Sequence, residues 1–207
     1  MHKFKLKLNR AKKKPRSKIT RRKVAMSTLA IVLALSGVYL LVLVFSPQIV
    51  DSGTEMSPAA TEELIARYQT ESINAIIIPS IQVDVPILEG DEDVLNIGAW
   101  HRKPEQGNPT KNGNFIVTAH RFTLGFSPAQ TAEKSPFYNL HKLGEGDDII
   151  IIWNGEKHYY TVEETFEVTP YQLEIEDQTT EKILTLYSCT LEGHLDGRLV
   201  IKAKPVA

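Results

Sequence analysis

Asp148-Ile149-Ile150-Ile151-Ile152-Trp153, then Asn154-Gly155, then the alternating stretch 157–168 decide the fold class. The first six residues form a short apolar run after Gly144-Glu145-Gly146-Asp147, which has turn composition. Asn154-Gly155 is a two-residue hairpin signal, because both residues tolerate the positive φ that such a turn demands. Beyond it, polar and apolar residues alternate with the period of a strand. This is an antiparallel hairpin, and the rest of the outer chain repeats its character.

Working outward, Ala75–Ile78 is a short apolar run stopped by Pro79. Residues 83–87 alternate, with Pro86 tolerable at an edge or a bulge. Residues 115–119 read as a buried strand, and 183–187 and 198–203 as the last two. Helical signals are few. Thr61 with Glu62 and Glu63 can begin a short helix with Leu64, Ile65 and Tyr68 on its apolar face. Residues 136–143 read as another, capped by Ser135 with Pro136 at the first position. Seven or eight short strands separated by turns predict an all-β domain, a closed barrel or a sandwich.

The first 45 residues have a different nature. Residues 1–23 hold half of the 24 Lys and Arg and no Asp or Glu, although the net charge of the chain is only -1. Residues 24–45 then carry no charge at all, and as a helix they reach about 33 Å, enough for a bilayer core. The expected organisation is a basic cytoplasmic tail over 1–23, a transmembrane anchor over 24–45, a linker and short helix over 46–73, and an outer domain over 74–207. The positive-inside rule puts the N-terminus in the cytoplasm and the acidic domain outside. A cleaved signal peptide has a shorter apolar region and a small-residue cleavage site. Here the run ends Val44-Phe45-Ser46-Pro47. The basic cluster abuts an apolar segment, so its expected partner is membrane lipid and not nucleic acid.

One cysteine, Cys189, falls in the outer domain. Composition leaves it undecided between a small buried hydrophobe and a reactive thiol. It follows the strand 183–187 and precedes a turn-forming stretch, 191–194, a position held by the sheet yet open to a ligand. A thiol needs a base or a positive neighbour to act as a nucleophile at neutral pH. His120 ends the strand 115–119. Arg198 opens the last strand, and it comes near Cys189 if the last two strands are neighbours. His101, His141, His158 and His194 read as surface residues, with His101 and His194 in loops that could border a site. No paired Cys/His spacing, phosphate loop or basic-aromatic interleaving is present.

Thr185-Leu186-Tyr187-Ser188-Cys189 resembles the sortase signature T-L-x-T-C, with Ser188 for the second Thr. Thr118-Ala119-His120-Arg121 is similar to the family's histidine motif, with Ala119 where Gly is usual. Gly197-Arg198-Leu199-Val200-Ile201 resembles its arginine strand. Residues 78–87 are similar to its opening strands, and Phe137-Tyr138-Asn139-Leu140 with Leu143, Gly146 and Asp147 to its F-x-x-L…L-x-x-G-D segment. The likeness covers about residues 74–204.

The resemblance implies a closed eight-stranded sortase-type β-barrel with one or two short helices. It also implies a cysteine transpeptidase that cleaves an LPxTG-like sorting signal between Thr and Gly. Cys189 would be the nucleophile, His120 the general acid and base, and Arg198 the oxyanion stabiliser. Thr185, Ser188, Thr190 and Ala119 are the expected substrate-side residues. The implied partners are surface proteins bearing a sorting signal, with a cell-wall precursor or pilin amine as acceptor. No cofactor is expected. Acidic clusters at 89–93 and 163–177 could attract Ca²⁺ but lack EF-hand spacing and read as solvated surface. With no long insertion before His120 and no second apolar segment, an anchoring enzyme of housekeeping or class D/E type is expected over a pilin polymerase. The other readings are a different wall thiol enzyme, which would place other residues around its Cys, and a non-catalytic wall-binding domain, which would need no Cys–His–Arg set.

Overall fold

The computed structural model describes residues 18–50 and 55–206. Most of the expected basic tail, part of the linker and Ala207 lie outside the described residues. Helix α1 (Lys18–Val50) contains the predicted apolar segment. Over Arg21–Gln48 its mean hydropathy is 2.6. Those residues span about 42 Å at 1.5 Å each, more than a bilayer core needs. By length and composition α1 is able to cross a membrane.

The remaining chain folds around a closed barrel of eight strands. They are β1 (Ala75–Ile78), β2 (Val83–Leu88), β3 (Ala99–Arg102), β4 (Gly113–Thr118), β5 (Asp148–Trp153), β6 (Glu156–Val168), β7 (Lys182–Thr190) and β8 (Gly193–Pro205). Around the barrel they run β1-β2-β3-β4-β7-β8-β6-β5, and β5 closes on β1. Closure removes the unpaired edges that an open sheet would expose. The β5–β6 hairpin turns at Asn154-Gly155 as read, with φ of 50° and 81° there. Pro86 precedes the short β2–β3 pairing, which involves only Ile87 and Leu88, so its missing N–H breaks no bond to β3.

Alternation along the strands sorts side chains between two environments. Phe115, Val117, Leu184, Leu186, Leu199, Ile201 and Ala203 fill the barrel interior. Ile116, Tyr187 and Val200 face outward and meet Ile175 from the β6–β7 connection. A second outer patch (Ala75, Ile77, Ile150, Ile152) is covered by helix α2 (Pro58–Glu71) through Ile65 and Tyr68. Burying side chains of this size stabilises the domain by about 1.5–3 kcal/mol each.

Three local expectations are corrected. Helix α2 is capped by Ser57, whose Oγ accepts from Ala60 N at 3.2 Å, and Thr61 lies inside the helix. Pro58 occupies the first position, so the start falls four residues earlier than read. Residues 136–143 are not an α-helix. They form successive three-residue turns, with Leu140 N bonded to Phe137 O and Leu143 N to Leu140 O. That period brings Phe137, Leu140 and Leu143 together into the core, which an α-helix would splay apart. The short helix of this region is instead α3 (Pro128–Glu133), with the same cap chemistry from Ser127 and Pro128. Finally, His101 is not on the surface. It sits in β3, a strand the sequence reading did not anticipate, and is fully buried.

Candidate active site

Strands β4 and β7 run parallel, with Thr118 opposite Tyr187. Two hydroxyls fasten their ends. Thr118 Oγ1 donates to Tyr187 O at 2.9 Å, and Ser188 Oγ donates to Ala119 O at 2.8 Å. Beyond these bonds come His120, two residues past the end of β4, and Cys189 in β7. On the other side of β7, Cys189 is the register partner of Arg198 in β8. His120 at the end of β4, Cys189 in β7 and Arg198 in β8 therefore form one row. By alternation the row lies on the outer face, the same face as Tyr187 and Val200.

This row lines a cavity of about 570 Å³, within the range typical of ligand sites. Its floor adds Trp100, Arg102, Thr118 and Tyr187. One wall is the 3₁₀ turn Glu92–Asn96. The opposite wall is the β6–β7 connection, through Pro170, Gln172, Leu173 and Ile175, and the β7–β8 hairpin contributes His194. Cys189 is a free, half-buried thiol.

Burial holds the His120 imidazole below its ordinary value of 6.5. Glu92 opposes that shift and Lys134 adds to it. The Arg198 Nη1 donates to His194 O and to Gly197 O, both at 2.9 Å. These bonds fix the guanidinium against its own hairpin, so less side-chain freedom remains to be lost when it meets a ligand.

The β6–β7 wall is held by a buried carboxylate. Glu176, 3% exposed, accepts from Tyr187 Oη at 2.5 Å and pairs with Lys103 Nζ at 3.1 Å. Arg102 Nε stands 2.5 Å away in ionic contact, without hydrogen-bond alignment. Burial pushes the Glu176 carboxyl up, but Tyr187, Lys103 and Arg102 together more than offset it, and the net shift is downward.

The four residues expected on the substrate side divide. Ala119 lines the cavity. The hydroxyls of Thr185, Ser188 and Thr190 are buried and committed elsewhere. Thr185 bonds Asn114 Oδ1 at 2.7 Å, Ser188 bonds Ala119 O, and Thr190 bonds Asp196 Oδ2 at 2.8 Å. Their place is in joining strands. The sequence reading missed Trp100, Arg102, Tyr187 and the β6–β7 wall. Tyr187 stands two residues before Cys189 and could have been found from strand alternation. Trp100 and Arg102 lie in the four-residue β3, too short to show a period. Among the described residues, no group of three or more His, Cys, Asp or Glu is placed to hold a metal ion.

The family model described as the Sortase domain matches residues 76–206. The chain belongs to the sortase family, whose members are in general cysteine transpeptidases. Sortase A of Streptococcus agalactiae serotype III (strain NEM316) is 29% identical over 149 residues, which is 69% of this chain and 58% of the relative. The chain thus spans less than two thirds of that relative's length. Among solved structures, a Clostridium perfringens Sortase D5 transpeptidase is 30% identical with a TM-score of 0.55, covering 70% of this chain and 89% of that one. Sortase C1 of Streptococcus agalactiae is also 30% identical at a TM-score of 0.55, covering 67% and 69%. Sortase A from Corynebacterium diphtheriae shares the fold at 22% identity and a TM-score of 0.55, covering 73% and 86%.

Proposed function

We propose that this chain is a membrane-anchored transpeptidase that cleaves an LPxTG-like sorting signal between Thr and Gly and joins the Thr to an amine. The observation that carries the reading is the row His120–Cys189–Arg198 along one cavity. The Cys189 thiolate attacks the Thr carbonyl, and the oxygen takes the negative charge. Arg198 stabilises that oxyanion with its guanidinium donors. The tetrahedral intermediate collapses, and the C–N bond to Gly breaks. His120, as imidazolium, gives its proton to the leaving amine. A thioester remains on Cys189. An acceptor amine attacks it, neutral His120 takes the amine's proton, and the thiolate is released.

Burial of His120 disfavours its charged form, the imidazolium that donates to the leaving amine. Activity then depends on how readily the imidazolium forms, which Glu92 favours and Lys134 opposes.

The acceptor is an amine of a cell-wall peptide precursor, and the enzyme anchors surface proteins in the manner of housekeeping or class D/E members. The basic tail lies in the cytoplasm, α1 crosses the membrane, and the barrel works outside. The test is incubation of the full chain in detergent micelles with a Leu-Pro-Glu-Thr-Gly peptide. Mass spectrometry should find the peptide's N-terminal part as a thioester on Cys189. Cys189→Ala should keep its fold, judged by circular dichroism, and lose all cleavage. Cleavage by that variant would sink the proposal.

A further inference from the structure

His101 is fully buried inside the barrel, and both of its ring nitrogens face acceptors. Nδ1 lies 3.2 Å from Glu89 Oε1, and Nε2 lies 3.0 Å from Gly107 O. The ring is wedged edge-on between Phe115 and Trp153, at centroid distances of 4.8 and 5.3 Å. A neutral imidazole has one N–H and can make only one of these two bonds. Both exist together only when the ring carries both hydrogens, opposite the Glu89 carboxylate.

The two partners lie in the connections on either side of β3. Gly107 belongs to a tightly packed loop, where a Cβ would lie 2.8 Å from the backbone of Gly113. Its carbonyl is thereby a fixed point. Glu89 belongs to the segment that leads into the Glu92–Asn96 turn, the cavity wall that faces His120. Beside it, Trp100 Nε1 donates to Gly90 O at 3.0 Å. Strand β3 thus grips one wall through Trp100 and His101, and the other through Arg102, with Lys103 just beyond it, on Glu176.

We propose that His101 is a positioning residue, a doubly bonded clamp inside the barrel that fixes the Glu92–Asn96 wall of the catalytic cavity. Its effect on turnover rests on the function proposed above. The groups facing the ring are Glu89 from the β2–β3 connection, the Gly107 carbonyl from the β3–β4 loop, Phe115 from β4 and Trp153 from β5. Glu89 is the one carboxylate in contact with it among the described residues.

The decisive experiment pairs nitrogen NMR of the histidine rings with kinetics, on the full chain in detergent micelles. Glu89 is more than half exposed, so Glu89→Ala should fold. In the wild type the His101 ring should show two protonated nitrogens. Glu89→Ala should leave only one, and should move the backbone amide signals of residues 90–97. With the Leu-Pro-Glu-Thr-Gly peptide, KM should rise about tenfold, the factor a lost charged hydrogen bond carries, with kcat within about twofold. Glu89→Gln, which keeps an acceptor, should recover part of that rise. A wild-type ring with one bare nitrogen, or a Glu89→Ala chain with unmoved amides and KM, would overturn the clamp. The spectra need no turnover, so they decide the clamp even if the peptide proves not to be a substrate.

Discussion

Replacing Glu176 by Gln keeps the shape of the side chain and removes its charge, which makes it a clean probe of the cavity's β6–β7 wall. Hydrogen bonds to charged groups contribute about 1.5–3 kcal/mol, and breaking a fully buried pair costs about 3–5 kcal/mol. Arg102 and Lys103 are 34% and 35% exposed, so water recovers part of their solvation. The expected loss is then about 2 kcal/mol. For a domain of this size that lowers Tm by about 4–8 °C at pH 7. The pH dependence follows from the direction of the shift. The folded-state pKa of Glu176 lies below its ordinary 4.5, so its stabilisation is complete above that value and is lost as pH falls through the folded pKa. Wild type and variant should therefore differ fully at neutral pH and converge under acid. Thermal unfolding followed by tryptophan fluorescence at pH 7, 5 and 3 measures this directly. Equal stabilities at pH 7, or a gap that stays constant down to pH 3, would refute the argument.

Two further outcomes bear on the row His120–Cys189–Arg198. Arg198→Lys should lower kcat by about a hundredfold or more with a smaller effect on KM, because an ammonium cannot reproduce the guanidinium fork; peptide cleavage at near-normal rate would remove Arg198 from the mechanism. Glu92→Gln should lower the titration midpoint of His120 and Lys134→Gln should raise it, since the first supports the imidazolium and the second opposes it; proton NMR of the ring reads both, and shifts of the same sign would disprove that account.

The barrel was legible because its strands carry their own signals. Asn154-Gly155 with the isoleucine run before it announces a hairpin without any tertiary information. Cys189 lies near the end of β7 and His120 just past the end of β4, whereas Arg198, read as opening the last strand, falls inside β8; motif resemblance joined the three before any geometry was known. The rest depended on partners far along the chain. Strand β3 is four residues long and gains its definition from β4 and β2 on either side. Nothing local distinguishes His101 from an exposed histidine; its burial comes from Phe115 and Trp153, which lie in other strands. The run 136–143 misled because a Ser-Pro start serves an α-helix and a series of tighter turns equally well. The core spacing of Phe137, Leu140 and Leu143 chose the turns.

The parallel pairing of β4 with β7 has a consequence for biogenesis. The hydroxyl bonds that fasten these strands join residues 69 positions apart. Such distant, parallel contacts form late, after their loop-closure entropy has been met. Cys189 and Arg198 can meet early, because a local hairpin brings them together. His120 joins them only when the two ends of the sheet find each other. A partly folded chain with only this hairpin formed has Cys189 beside Arg198 but not beside His120. Completing the row and closing the β4–β7 junction are in this way one event.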